Sequence, residues 1–348
     1  MKNILLVGPG LIGKKHIEII EKNPNLKLVA VVSKDINKHS GFLSDIGVEG
    51  FFSLDDALNK SKVDGAIICS PNELHYEHAS ICIEKNIPTL VEKPLTSCLN
   101  DSKMIIDLAE NKSTPLLVAD HRLYNPLIYA AKEYIDSEKF GNVVSFLGSA
   151  QFYKPKRYFE EGEWRSKVGG GPLLINLIHE IGIMRFLCGE ISKVSAMSTN
   201  KNRGFEVEDT AVINFEFENG ALGAFTLSDT AASNKSWEMT TGENPLYPSY
   251  KDDYSYHISG TLASLDFPNL ETREYSSEQD ASWWKKFNHG ILSIKREDPF
   301  VIQMNHFYDV ISNNVKPISS ARNGYKNLLV LEAIKESIES GKVISLKL

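Results

Sequence analysis

The stretch that most limits what this chain can fold into is its beginning. An unbroken apolar run, Ile4-Leu5-Leu6-Val7, leads straight into Gly8-x-Gly10-x-x-Gly13, followed by the helical pattern Ile12, His16, Ile19 and Ile20. A run that is apolar at every position suits a strand buried on both faces of a parallel sheet. Glycines at this spacing allow a tight turn, close approach of a phosphate to the backbone, and packing of helix on strand. The unpaired N–H groups of the helix's first turn attract an anion. Three glycines can also meet by chance in a turn. The strand before them and the helix after them make the spacing a dinucleotide-binding signature.

The same rhythm continues. Leu28 to Val32 predicts a second strand, Ser53 to Lys60 a helix, and Asp64 to Cys69 a third strand. Ser70-Pro71-Asn72 follows, with Asn72 placed to cap a helix carrying His75, His78 and Cys82. A strand to Val91, a helix from Leu99 to Asn111 and a strand from Pro115 to Ala119 complete the series. Strands alternating with helices of this length build a doubly wound parallel sheet. NAD-binding sheets usually carry an acid at the tip of the second strand to hold the ribose 2′-OH. Here the tip is Ser33-Lys34, a hydroxyl and an ammonium suited to a 2′-phosphate, which favours NADP slightly over NAD; Asp35 reaching the ribose is the alternative. His75 lies where a cofactor would pass, or is a half-exposed helical histidine.

Val91-Glu92-Lys93-Pro94 ends a buried strand on a carboxylate, an ammonium and a proline. On its own it reads as a surface turn with an ion pair. At the carboxyl end of a strand in such a sheet it borders the ligand crevice, where Lys93 can meet a substrate beside a nicotinamide.

At Asp120 to Pro126 the alternation stops, which sets a boundary close to Arg122: residues 1–122 as the dinucleotide-binding domain, and 123–348 as an α/β domain for substrate and oligomer contacts. Asn125-Pro126 starts a helix ending near Ser137, and Asn142 to Phe152 is a long strand. Gly169-Gly170-Gly171 leads into a helix from Pro172 to Cys188, on which Asn176, His179 and Ile183 share a face. Strands are expected at Lys193 to Ser198, Thr210 to Glu218, Ala221 to Leu227 after the Asn219-Gly220 turn, Ser255 to Ile258, and Leu262 to Phe267. Ser228 to Asp253 reads as a long loop, with Trp237, Glu238 and Tyr247 as further substrate-side candidates. Helices near Phe300 to Asn313 and Ala321 to Ser340, then a strand at Val343 to Leu346, close the chain. The second sheet should be open and mostly antiparallel, with one face free for water or another subunit.

A length of 348 residues exceeds what one core usually holds, in keeping with two domains. A net charge of -7 without any basic block argues against nucleic acid and anionic membrane as partners. No apolar stretch is long enough to span a bilayer, and the apolar start breaks at Gly8 without a leader's cleavage site. Cys69, Cys82, Cys98 and Cys188 show neither metal-ligand spacing nor a disulfide framework, so a cytoplasmic enzyme without a metal is expected.

Together these residues resemble the glucose-fructose oxidoreductase/inositol dehydrogenase (Gfo/Idh/MocA) family almost end to end. The resemblance rests on the glycine turn, Ser70-Pro71-Asn72 with His75, Glu92-Lys93-Pro94, Arg122 with Tyr124-Asn125-Pro126, the triple glycine with His179, and Gly324 through Ala333 to Ser337. It implies a Rossmann domain, an α/β domain whose open sheet serves homodimer or homotetramer contacts, and hydride transfer between NAD(P) and a secondary alcohol of a sugar, polyol or cyclitol. By position it implies cofactor contacts from Gly8, Gly10, Leu11, Ile12, Gly13, Ser33, Lys34, Ser70, Pro71, Asn72, His75, Glu92, Lys93 and Arg122. Lys93 would hydrogen-bond the reacting oxygen and His179 would exchange its proton, with Tyr153, Arg157, Trp164 and Asn176 also bounding the substrate. An imidazole handles protons near neutral pH, and an ammonium stabilises a developing alkoxide.

Two positions depart from the family pattern. Aspartates are common four residues before the histidine and three after it, where this chain has Ile175 and Gly182. Either His179 works unaided, or another acid assists it, Glu92 in preference to Glu180, or the chemistry is degraded. Lys156, Arg157 and Arg165 raise the expectation of a carboxylate or phosphate on the substrate, or are solvated loop charges. A cyclic dihydrodiol dehydrogenase and a non-catalytic cofactor-binding regulator are the competing readings.

Overall fold

The apolar runs of the first part of the chain pair into one parallel sheet. Its strands are β1 (Lys2–Val7), β2 (Leu26–Val32), β3 (Glu49–Phe51), β4 (Gly65–Ile68), β5 (Thr89–Glu92) and β6 (Leu116–Ala119), in the order β3-β2-β1-β4-β5-β6. All five pairings are parallel. Along β1, Ile4 and Leu6 join the apolar cluster on one face while Leu5 and Val7 join that on the other. That two-sided burial explains why the run is continuous rather than alternating. The strand order reverses between β1 and β4. A switch point of this kind leaves a crevice outside the carboxyl ends of the strands.

The computed structural model describes residues 1–347 and separates them into two units. The first runs from Met1 to Tyr124 and takes back Glu297–Leu328; the second holds Asn125–Arg296 and resumes at Leu329. The expectation that everything from 123 onward forms one body is therefore corrected. Helix Pro299–Asn313 places Met304, Phe307 and Val310 in the same cluster as Ile4, Leu6 and Ile17, so its apolar stripe completes the first core. Helix Ala321–Ser340 begins there too, where Gly324 has no Cβ to strike the Val118 side chain 2.6 Å away.

The second unit is built on nine strands: the first sheet's numbering continues as β7 (Val143–Gln151), β8 (Ile191–Thr199), β9 (Thr210–Phe217), β10 (Leu222–Ser228), β11 (Tyr256–Gly260), β12 (Ala263–Phe267), β13 (Glu271–Glu274), β14 (Asn288–Ile291) and β15 (Ile344–Ser345). Their order is β14-β13-β12-β11-β7-β10-β9-β8-β15. The β7–β10 pair is parallel and the other pairs are antiparallel. On β9, Ala211, Ile213, Phe215 and Phe217 are buried while Val212 and Asn214 face out. The alternation is that of a sheet with one covered face. Stacked rings fill the inner side, Tyr256 on Phe267 at 5.2 Å and Trp237 on Phe267 at 5.5 Å.

Local departures from the expectation have physical causes. The helix predicted from Pro172 opens as a π-helical turn, Leu173–Leu177, and becomes α-helical over Ile178–Cys188. Asn72 does not cap its helix: Asn72–Leu74 is a 3₁₀ turn without a side-chain cap, running into the helix His75–Glu84. The long loop contains a short helix, Trp237–Thr240, whose start Ser236 caps through the Met239 N–H. Trp237 is thereby buried at 2% exposure, a core ring rather than an exposed contact. Among the described residues no helix is long and apolar enough to cross a membrane.

Candidate active site

Packing dictates two of the three signature glycines, and open space surrounds the third. A Cβ on Gly8 would lie 2.5 Å from the Cys69 carbonyl oxygen, and one on Gly13 would lie 2.2 Å from that of Gly8. A Cβ on Gly10 would meet nothing within 4 Å. Helix Leu11–Lys22 makes its first backbone bond from Lys14 N–H to the Gly10 oxygen, at 2.9 Å. The N–H groups of Leu11, Ile12 and Gly13 thus have no partner inside the helix, and Leu11 is exposed beside the open glycine. A diphosphate fits here: the first-turn N–H groups are unused within the helix, and the space a Gly10 side chain would take is open.

At the tip of β2, the Ser33 hydroxyl accepts the Asp35 N–H at 3.2 Å, Lys34 is exposed, and Asp35 pairs with Lys38 at 3.2 Å. At the end of β4, Ser70 is buried, Pro71 exposed and Asn72 half-buried. His75 is only 1% exposed, with Nε2 2.8 Å from the Ser70 carbonyl oxygen and Nδ1 2.9 Å from that of Pro94. The half-exposed alternative for this ring is therefore corrected: it is buried and bonded to main chain on both sides.

At the end of β5, Glu92 is buried and Lys93 half-buried. Glu92 Oε1 lies 2.9 Å from His16 Nε2, and Oε2 accepts the Lys93 N–H at 3.2 Å. Burial alone would raise this carboxyl, but the hydrogen bond and charge of His16, with Lys93 and His121, together hold it below the usual carboxylate range. Donor atoms of His16, Cys69 and Glu92 lie within 4.8 Å of one another. Burial, then the Glu92 charge, keeps the Cys69 thiol protonated, so the trio reads as a hydrogen-bonded His16–Glu92 pair beside a neutral thiol. Beyond β6, Arg122 is buried, and burial pushes the Asp120 carboxyl up to about 6 against the pull of His121, Arg122 and Lys93. Asp120 is a titratable group at the crevice that the sequence reading passed over, although an acid directly after a buried strand was its visible signal.

In the second unit, Gly169 and Gly171 hold positive φ, and a Cβ on Gly171 would meet the Glu208 carboxylate at 2.6 Å. That carboxylate accepts the Leu173 N–H at 2.8 Å and so fixes the start of the π-helical turn. Asn176 sits in this turn and His179 just past it, both buried. Asn176 Oδ1 accepts from Lys154 Nζ at 2.8 Å, and its Nδ2 donates to Glu238 at 3.3 Å. Lys154 also lies 3.9 Å from Asp229, which pairs with Arg203 at 2.7 Å. These buried ions, missed in the sequence because only tertiary packing brings them together, anchor Asn176.

Other expected substrate residues divide between surface and cluster. Tyr153 and Trp164 are exposed, with Arg203 5.3 Å from the Tyr153 ring centre. Lys156 pairs with Glu160 and Arg157 with Glu161 along one exposed helical turn, while Arg165 stacks 4.0 Å over Tyr158. Of the acids considered as helpers for His179, Glu92 is bonded to His16 and Glu180 accepts the Tyr256 hydroxyl.

Residues 2–120 match the family described as "Oxidoreductase family, NAD-binding Rossmann fold", and residues 128–266 match the "GFO/IDH/MocA C-terminal domain". An inositol 2-dehydrogenase from Rubrobacter xylanophilus is 25% identical over 97% of this chain and 90% of its own. A D-apiose dehydrogenase from Rhizobium rhizogenes is 23% identical over 98% of this chain and 96% of its own. Among solved structures, a levoglucosan dehydrogenase in complex with NADH and levoglucosan superposes with a TM-score of 0.81 at 21% identity, covering 99% of each chain.

Proposed function

Because the chain belongs to the Gfo/Idh/MocA family of NAD(P)-dependent oxidoreductases acting on CH–OH groups, we propose that it moves hydride between the nicotinamide and a secondary carbon of a polyol, cyclitol or sugar. The observation that carries this reading is the placement of Lys93. It stands at the end of β5 in the sheet of the glycine turn, its neighbour Glu92 locked by His16. The nicotinamide, when bound, supplies the hydride acceptor or donor. Gly8, Gly10 and the N–H groups of Leu11, Ile12 and Gly13 hold the diphosphate; Ser70 to Asn72 and Arg122 bound the nicotinamide end. The Lys93 ammonium donates a hydrogen bond to the reacting oxygen and stabilises its charge as the proton leaves. His179 takes that proton, and Asn176, fixed by Lys154 and Glu238, orients a neighbouring hydroxyl.

NADP is slightly preferred over NAD in this reading, supported by the exposed Lys34 and the engagement of Asp35 with Lys38. The chain acts as a homodimer or homotetramer through the second sheet, whose outer side exposes Leu147, Met197, Val212 and Leu222. The two surface ion pairs at Lys156 and Arg157 withdraw support from an anionic substrate. The experiment is a turnover screen of myo-inositol, D-apiose and levoglucosan with NAD⁺ and NADP⁺, on the wild type, Lys93→Met and His179→Asn. Turnover lost in both variants with reduced-cofactor binding retained is expected. Full turnover in either variant rejects the assignment.

A further inference from the structure

The mechanism leaves one fully buried ring beside Lys93 without a task. His75 begins the helix His75–Glu84, and its two nitrogens reach carbonyl oxygens on two different loops: Ser70 after β4 at 2.8 Å and Pro94 after β5 at 2.9 Å. A carbonyl oxygen only accepts, so each bond draws on a ring N–H; a singly protonated ring fills one and a doubly protonated ring fills both. The attachment is reinforced one turn along, where His78 Nδ1 lies 2.9 Å from the Ser70 hydroxyl. β4 and β5 are ladder neighbours whose register ends at Ile68 and Val91. Beyond that point the His75 ring bridges the loops that leave the two strands. Pro94 directly follows Lys93, so the ring fastens the bend from which the ammonium projects.

We propose that His75 is a positioning residue that ties the ends of β4 and β5 together and thereby fixes the Lys93 side chain for the reacting oxygen. The proposal rests on the assignment of Lys93 above. Without the tie, the bend can drift, and a misplacement of about 1 Å at a reacting group costs about 10²-fold in rate.

Two variants separate the idea from a purely structural role: His75→Phe, which keeps a ring and loses both ring nitrogens, and His75→Gln, which keeps an amide donor. The first readout needs no substrate. In protein labelled with ¹³C at lysine Cε, the Lys93 signal is identified by its absence from Lys93→Met. His75→Phe should shift or broaden that signal while lysines elsewhere hold still, and His75→Gln should recover part of the wild-type position. An unmoved Lys93 signal in folded His75→Phe overturns the proposal. The second readout is turnover of myo-inositol or D-apiose. His75→Phe should lower kcat about 10-fold or more with a smaller change in KM, and His75→Gln should recover part of that loss. A wild-type kcat in folded His75→Phe overturns the proposal, as does failure of both His75 variants to fold. Full activity of Lys93→Met would instead reject the catalytic assignment of Lys93, and the labelled-lysine result would still decide whether His75 holds it.

Discussion

Asp120→Asn should stabilise the protein at neutral pH and leave it unchanged in acid. The carboxyl follows β6 at 3% exposure, and burial lifts it from 3.8 to about 6 even though His121, Arg122 and Lys93 favour its charged form. Between those values the folded chain holds a proton that the unfolded chain has released. This group's contribution is therefore fully present below 3.8 and is lost as the pH rises through about 6. With each pKa unit worth about 1.4 kcal/mol, the penalty at neutral pH is at most about 3 kcal/mol. Asparagine keeps the size and one carbonyl oxygen but never ionises. Urea unfolding of wild type and variant across the pH range measures the difference. It should be near zero at about pH 4 and grow to about 1–3 kcal/mol in favour of the variant by about pH 8. A difference that does not vary with pH would refute the burial argument. A variant less stable at the alkaline end would show that the surrounding cations outweigh burial.

The glycine turn gives a paired prediction. Gly13→Ala must displace backbone 2.2 Å away and should destabilise the protein by several kcal/mol in thermal unfolding, whereas Gly10→Ala, facing open space, should keep the wild-type Tm and weaken NADH binding in a fluorescence titration. Arg157→Ala removes one member of an exposed pair with Glu161, so stability should change by less than about 0.5 kcal/mol and KM for any neutral polyol should not move. Met197→Asp with Leu147→Asp places charge on the exposed outer sheet and should lower the mass measured by light scattering; an unchanged mass removes that face from the assembly.

The first sheet was legible because burial on both faces writes itself as uninterrupted apolar strands, and because a glycine turn and a charged strand end are local events. Glu92-Lys93-Pro94 stood out for that reason. The return of Glu297–Leu328 to the first unit was not legible, since a helix carries the same apolar period whichever core it covers. β13 and β14 escaped because Glu271-Thr272-Arg273-Glu274 and Asn288 to Ile291 lack an apolar alternation. The π-helical turn at Leu173–Leu177 leaves no mark in the spacing. His75 looked like a cofactor contact from its place at a helix start. Only the two carbonyl oxygens around its ring reveal the tie. Glu238 was visible only as a residue of a long loop, and Lys154, Asp229 and Arg203 carry no local signal until packing gathers them around Asn176.

The most direct measurement is a crystal structure of the wild-type protein with NAD(P)⁺ and a polyol it turns over. The account predicts Lys93 Nζ and a His179 ring nitrogen each within about 3 Å of one and the same hydroxyl oxygen, on the carbon facing nicotinamide C4. A substrate whose reacting hydroxyl is held by other groups, with either side chain turned away from it, would contradict the account.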